Sequence, residues 1–147
     1  MTSMPAAERL GSHIKRAEKA LNATKHAVLK PAGLTVPQYA ALLVLAERPG
    51  ISAAGLARAC AVTPPTMNTV LKNLQERGLI ERTPHQWHRN VLETSLTEEG
   101  KAVMADADAR AVRVERALAA EFTAEERESL TDLLGRCVDL LEAVRPD

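Results

Sequence analysis

Several features are missing from this sequence, and each absence closes off a class of function. The longest uninterrupted apolar run, Tyr39 to Ala46, is eight residues, where a membrane span needs about 20. The stretch from Met1 to Arg16 holds no apolar run ahead of its charges, so no secretory signal is expected. Two cysteines, Cys60 and Cys137, lie too far apart for a metal or redox pattern and suit a reducing cytoplasm. Glycine-rich phosphate loops, nucleophile elbows and metal-spaced His/Glu helices are missing as well, so no enzyme and no cofactor are expected. Aromatic residues make up only 2% of the chain. The 147 residues suit one domain with appended helices, soluble, cytoplasmic and independent of any membrane.

Net charge is missing too, but only as a sum. Nineteen basic residues match nineteen acidic ones. Residues 1–33 carry six basic and two acidic side chains, whereas residues 98–147 carry seven and thirteen. Overall charge therefore does not advertise a nucleic-acid partner. The two ends can attract one another, or can simply be solvated helix faces.

What is present is punctuation. Thr35 and Gln38 form a Thr-x-x-Gln capping box with Leu34 and Tyr39 as a hydrophobic staple. Ser52 follows the Pro49-Gly50 breaker and caps a short helix to about Cys60. Thr63 caps a helix whose first turn holds Pro64 and Pro65, where missing N–H groups cost nothing. Thr97-Glu98-Glu99 and Thr123-Ala124-Glu125-Glu126 open two more helices. Between Gly78 and Thr97 the period shortens: Leu79–Arg82 and Val91–Leu96 read as strands of a hairpin, joined by a polar loop containing Pro84, Trp87 and Arg89.

The terminal segments repeat apolar residues at near-heptad spacing: Leu10, Ile14, Ala17, Leu21 and Val28 at one end, Leu130, Leu134, Cys137, Leu141 and Val144 at the other. Lying outside the central unit, such seams read as a dimer interface rather than as intramolecular packing alone.

The helix after Thr63 buries Met67, Val70, Leu71 and Leu74 on one stripe. Its other face offers Pro65, Thr66, Asn68, Thr69, Lys72 and Asn73, small or amide side chains that fit a major groove. A solvated face would carry more Glu and Lys. With the Ser52 helix before it and the hairpin after it, the order is helix-turn-helix-wing. Arg89 at the wing tip suits a minor groove and Arg82 at its base a phosphate. Cys60 and Cys137 read as core, and Trp87 as packed under the wing, with stacking on a backbone sugar the alternative. His85 and His88 lack further ligands, so polar loop contacts with local pH sensitivity are expected and a metal is not.

Together LTVPQYAALLVLAE at 34–47, ISAAGLARACAVTPPTMNTVLKNLQERGLIER at 51–82 and SLTEEG at 95–100 make the chain resemble a MarR-family winged-helix regulator. The resemblance implies a mainly α fold with a small β-hairpin wing: a winged helix-turn-helix DNA-binding domain at 34–97, and a helical dimerisation region at 6–33 and 98–145. It implies a homodimeric repressor on a pseudo-palindromic double-stranded DNA operator, released by a small aromatic or anionic effector. Ser52, Thr63, Pro65, Thr66, Asn68, Thr69, Lys72, Asn73, Arg82 and Arg89 are the DNA-binding candidates. His13, His26 and Tyr39 are the effector-binding candidates. The wing departs from the family's usual Asp-Arg-Arg, reading His88-Arg89-Asn90: the arginine matches, and the steadying acid is missing. The first helix also lacks the reactive cysteine of thiol-sensing relatives. A dimeric protein-interaction module on the same fold, without operator binding, is the alternative.

Overall fold

Side-chain caps fix where the helices of this chain begin. The computed structural model describes residues 3–88 and 92–147. A single 3-10 turn at Ala6–Glu8 leads into α1, Leu10–Leu29, and a second at Lys30–Ala32 ends that segment. Helix α2, Val36–Glu47, opens with the expected reciprocal box. Thr35 Oγ1 accepts the Gln38 N–H at 3.3 Å, and Gln38 Oε1 accepts the Thr35 N–H at 3.0 Å. Helix α3, Ala53–Ala59, starts from Ser52, whose Oγ accepts the Gly55 N–H at 3.0 Å. Helix α4, Pro64–Glu76, starts from Thr63. Strands β1, Ile80–Pro84, and β2, Leu92–Leu96, pair antiparallel from Ile80 opposite Leu96 to Pro84 opposite Leu92. Helices α5, Glu98–Ala120, and α6, Ala124–Val144, complete the chain.

The first strand begins one residue later than the sequence suggests and runs to Pro84. A proline is tolerated there because each strand of a two-stranded ribbon is an edge strand.

The chain divides into two compact units, residues 1–111 and 112–147. The first holds the core. Leu42 and Leu45 of α2, Leu56 of α3, and Met67, Leu71 and Leu74 of α4 are buried together with Leu29, Leu79, Ile80, Ala107 and Ala111. Each such leucine contributes roughly 1.5–3 kcal/mol by leaving water. Cys60 packs against this cluster, half-buried, and burial raises its thiol above the usual range.

Two close approaches fix how α5 leaves the hairpin. The Thr97 hydroxyl donates to the Gly78 carbonyl at 2.7 Å and accepts the Gly100 N–H at 3.0 Å. A Cβ on Gly100 would overlap the Leu79 carbonyl, so only glycine fits. Gly78, at φ +71°, turns the chain from α4 into β1.

In the second unit, Thr123 Oγ1 accepts the Glu126 N–H at 3.1 Å, and Glu126 Oε1 accepts the Thr123 N–H at 3.0 Å. That backbone N–H is the larger cause holding the Glu126 carboxyl below the usual range. The Arg127 guanidinium donates to the carbonyls of Ala119 and Phe122, closing the turn between α5 and α6. No α6 side chain is buried. Cys137 is therefore a correction: it is half-buried on an exposed seam, not core, because nothing among the described residues buries that face.

Candidate nucleic-acid interface

The α3–α4 pair is held by an unusual turn. Cys60 ends α3, Ala61 takes φ 54° and Val62 packs against the core before Thr63 caps α4. Ala61 is the one residue other than glycine with positive φ among those described, a conformation that costs an alanine roughly 1–2 kcal/mol.

The start of α4 is fully accounted for. Pro64 and Pro65 carry no N–H, the Thr66 N–H donates to Thr63 Oγ1 at 3.3 Å, and the Met67 N–H donates to the Thr63 carbonyl at 3.0 Å. From Pro64 to Met67 the helix end retains its positive dipole but offers no free backbone N–H to an anion.

Along the same helix the predicted split is realised except at Val70, expected in the buried stripe and only half-buried. Met67, Leu71 and Leu74 are buried, whereas Thr63, Pro65, Thr66, Asn68, Thr69, Lys72 and Asn73 are all exposed, as is Ser52. Hydrogen bonds already made restrict what these groups can still do. The Thr63 hydroxyl donates to Thr66 Oγ1 at 3.0 Å, and the Thr69 hydroxyl donates to the Pro65 carbonyl at 3.2 Å. Thr69 Oγ1 therefore faces outward as an acceptor. Asn73 Oδ1 accepts the Gln38 amide at 2.8 Å, leaving the Asn73 amide N–H groups uncommitted among the described hydrogen bonds. Lys72 makes no ion pair among the described residues.

Gln38, read from sequence only as a cap, also ties α2 to α4. Its Oε1 accepts Arg77 at 3.4 Å while Arg77 donates to the Gly33 carbonyl at 2.9 Å. These contacts span 35 to 44 residues, so no local pattern announces them.

At the base of the hairpin, Arg82 stands opposite Thr94, half-buried, with a buried Nε that has no hydrogen-bond partner among the described residues. Arg89, the predicted wing-tip contact, lies outside the described residues, as do Asn90 and Val91. The loop before it is organised by His85. Its Nδ1 accepts the N–H groups of Trp87 at 3.0 Å and His88 at 3.2 Å, and its Nε2 lies 3.2 Å from Glu93 Oε1. Trp87 does not pack under the wing. Its side chain is 78% exposed, because both sides of so thin a ribbon are too small to cover an indole.

The three effector candidates are not brought together. Tyr39 is core, 7% exposed, and its hydroxyl donates to Asp108 Oδ1 at 2.6 Å. His13 and His26 are exposed on α1. His13 lines a hollow, about 590 Å³, with Arg16, Ala17, Lys19, Ala20 and Ala23 of the same helix. No group of His, Cys, Asp and Glu suited to a metal occurs among the described residues. Among the described residues no single helix is long and apolar enough to cross a membrane.

A family model described as the MarR family matches residues 32–89. The HTH-type transcriptional repressor Rv2887 of Mycobacterium tuberculosis is 34% identical over 125 residues, covering 85% of this chain and 90% of that one. The crystal structure of this Mycobacterium tuberculosis MarR family protein in complex with p-aminosalicylic acid matches at TM-score 0.69 and 32% identity, covering 88% and 98% of the two chains. A transcriptional repressor, CouR, was solved bound to a 23-mer DNA duplex. It matches at TM-score 0.82 and 27% identity, covering 94% of this chain and 98% of that one. The winged helix of these structures is the mainly helical body and two-stranded hairpin described above.

Proposed function

The chain belongs to the MarR family of transcriptional regulators, and from that premise we propose that it is a homodimeric repressor occupying a pseudo-palindromic operator in double-stranded DNA. The observation that carries this reading is the division of α4. One stripe is fully withdrawn into the core, and the opposite face presents hydroxyl, amide and ammonium groups with no acidic neighbour between Thr63 and Gln75. Such a face enters a major groove with its side chains toward base edges. Lys72 neutralises a phosphate, Arg82 another at the base of the hairpin, and Arg89 reaches the flanking minor groove. Asn68, whose amide is uncommitted among the described hydrogen bonds, suits an adenine edge, and Thr69 accepts from a base amino group.

Two copies join through the apolar seams of α1 and α6, placing half-sites about one helical turn apart. Rv2887 was solved with p-aminosalicylic acid and CouR with p-coumaroyl-CoA. By analogy, an aromatic or anionic effector releases this repressor. Arg16 and Lys19 beside His13 supply the matching charge. The protein acts in the cytoplasm and catalyses no reaction.

Fluorescence anisotropy of labelled duplexes at several salt concentrations tests the reading. A steep fall of affinity with salt is expected, because phosphate binding releases counterions. Lys72→Ala should lower affinity for all sequences alike and flatten the salt slope by about one unit. A dimer that ignores every duplex in dilute buffer would instead be a protein-interaction module.

A further inference from the structure

We infer that Trp87 is a DNA-contacting residue whose indole packs on the deoxyribose edge of the duplex backbone beside the wing. This rests on the operator-binding reading above. The indole is the largest apolar side chain in the protein and stands almost free of it, at 78% exposed. Its position is built rather than incidental. His85 Nδ1 accepts the N–H groups of Trp87 and His88, which requires a lone pair on Nδ1 and so places the ring proton on Nε2, toward Glu93 of β2. The His88 ring stacks at a tilt on His85, 5.3 Å between centroids. The loop is thereby tied down at its start while the indole between the two histidines is left outside.

Apolar groups gather at this end of the hairpin. Pro84 and Leu92, opposite one another at the last pair of the ribbon, are both exposed. The surrounding charge selects the occupant. From Arg82 through Leu92 the sequence holds two arginines and two histidines; the acids Glu81 and Glu93 flank the stretch, and Glu93 lies against His85 Nε2 at 3.2 Å. An apolar ring on a chain segment rich in basic and imidazole groups matches a surface that alternates sugar with phosphate. The hairpin also continues directly from α4 through Gly78, so the proposed interface and this end of the molecule belong to one structural body. Sugars differ little from site to site, so Trp87 adds affinity without adding sequence preference.

Trp87 is the single tryptophan of the chain, and its emission therefore reports this contact alone. Full-length protein is titrated with fluorescein-labelled duplexes of roughly 25 base pairs, long enough for two half-sites. One duplex carries the best site selected from a random pool and the other a scrambled sequence. Duplex anisotropy and Trp87 emission are followed together. The emission should change in step with anisotropy and become shielded from acrylamide. Trp87→Ala should weaken both duplexes by about tenfold, and Trp87→Phe should recover most of that loss, with helical circular dichroism unaltered. His85→Ala, a change in the positioning residue, should increase the depolarisation of Trp87 emission in the free protein and weaken both duplexes less than Trp87→Ala does.

Binding seen by anisotropy with constant, unshielded Trp87 emission and wild-type affinity in Trp87→Ala would overturn the inference and leave the operator reading standing. Loss of affinity for the selected duplex alone would make Trp87 a base reader and overturn the sugar assignment. Emission that shifts with protein concentration in the absence of DNA would show a second copy covering the ring, which also overturns it. Wild-type protein that raises no anisotropy on any duplex would remove the operator reading itself.

Discussion

Helices α4 and α6 have the same amphipathic rhythm and opposite fates. In α4 the residues Met67, Leu71 and Leu74 are withdrawn completely, packed under α2 and α3. In α6 the residues Leu130, Leu134, Leu141 and Val144 remain between 41% and 65% exposed. A period of 3.6 residues therefore specifies a face and says nothing of what covers it. For α4 the cover is in the same chain. For α6 the described residues supply none, and four large aliphatic groups in one row are more than a monomer leaves to water without use.

The sharpest way to break this contrast is to charge the α6 face. Leu134→Asp combined with Leu141→Asp should raise the dimer dissociation constant by about 1,000-fold, since each copy then forces two carboxylates into an apolar seam. Sedimentation equilibrium reads the effect, and an unchanged dimer would place the interface elsewhere. The winged-helix body should keep its melting temperature as a monomer to within a few degrees.

Leu71→Ala probes the other side of the contrast. A fully buried leucine replaced by alanine should cost about 3 kcal/mol in denaturant unfolding, with association per folded copy unaltered. A loss below about 1 kcal/mol would mean that the α4 stripe is held more loosely than its burial implies.

Smaller effects refine the picture within the body. Ala61→Gly removes the left-handed penalty at the α3–α4 turn, offset in part by the greater freedom of glycine when unfolded. Stability should rise by about 0.5 kcal/mol, and a melting temperature that falls would show the turn to be better suited to alanine than its φ suggests.

The smallest effect concerns the thiols. Burial favours the neutral form of Cys60, so in a Cys137→Ser background its alkylation by iodoacetamide should be slow at neutral pH and accelerate only above the usual thiol range. The matching stability is present below the unfolded thiol's titration and is lost as pH rises through the folded one. Rapid labelling at pH 7 would contradict the burial.

Much of this fold was legible because its signals are local. Thr35, Ser52, Thr63 and Thr123 each cap the helix that follows, with a partner three residues on. The exposed face of α4 followed from periodicity alone, and all seven of its candidate residues from Thr63 to Asn73 are at the surface. What escaped depends on distant chain. Gln38 and Arg77 fix the end of α4 through contacts that sequence spacing does not encode. Gly100 is required by the Leu79 carbonyl, an obstacle twenty-one residues upstream. Trp87 was assigned cover that a two-stranded ribbon does not provide. The bond from the Tyr39 hydroxyl to part-buried Asp108 spans 69 residues and is likewise invisible to local spacing.

The paired prolines at the tip of α4 have a mechanical consequence. On the proposed reading, a rod whose first two residues carry no backbone N–H works as a bearing and not as a bolt: the sugar–phosphate rail passes it without being clamped by them. Alignment then falls to individual side chains farther along and to the arm beside them, parts that can be exchanged one at a time. A regulator built this way can move to a new target sequence by single substitutions, with its scaffold left intact.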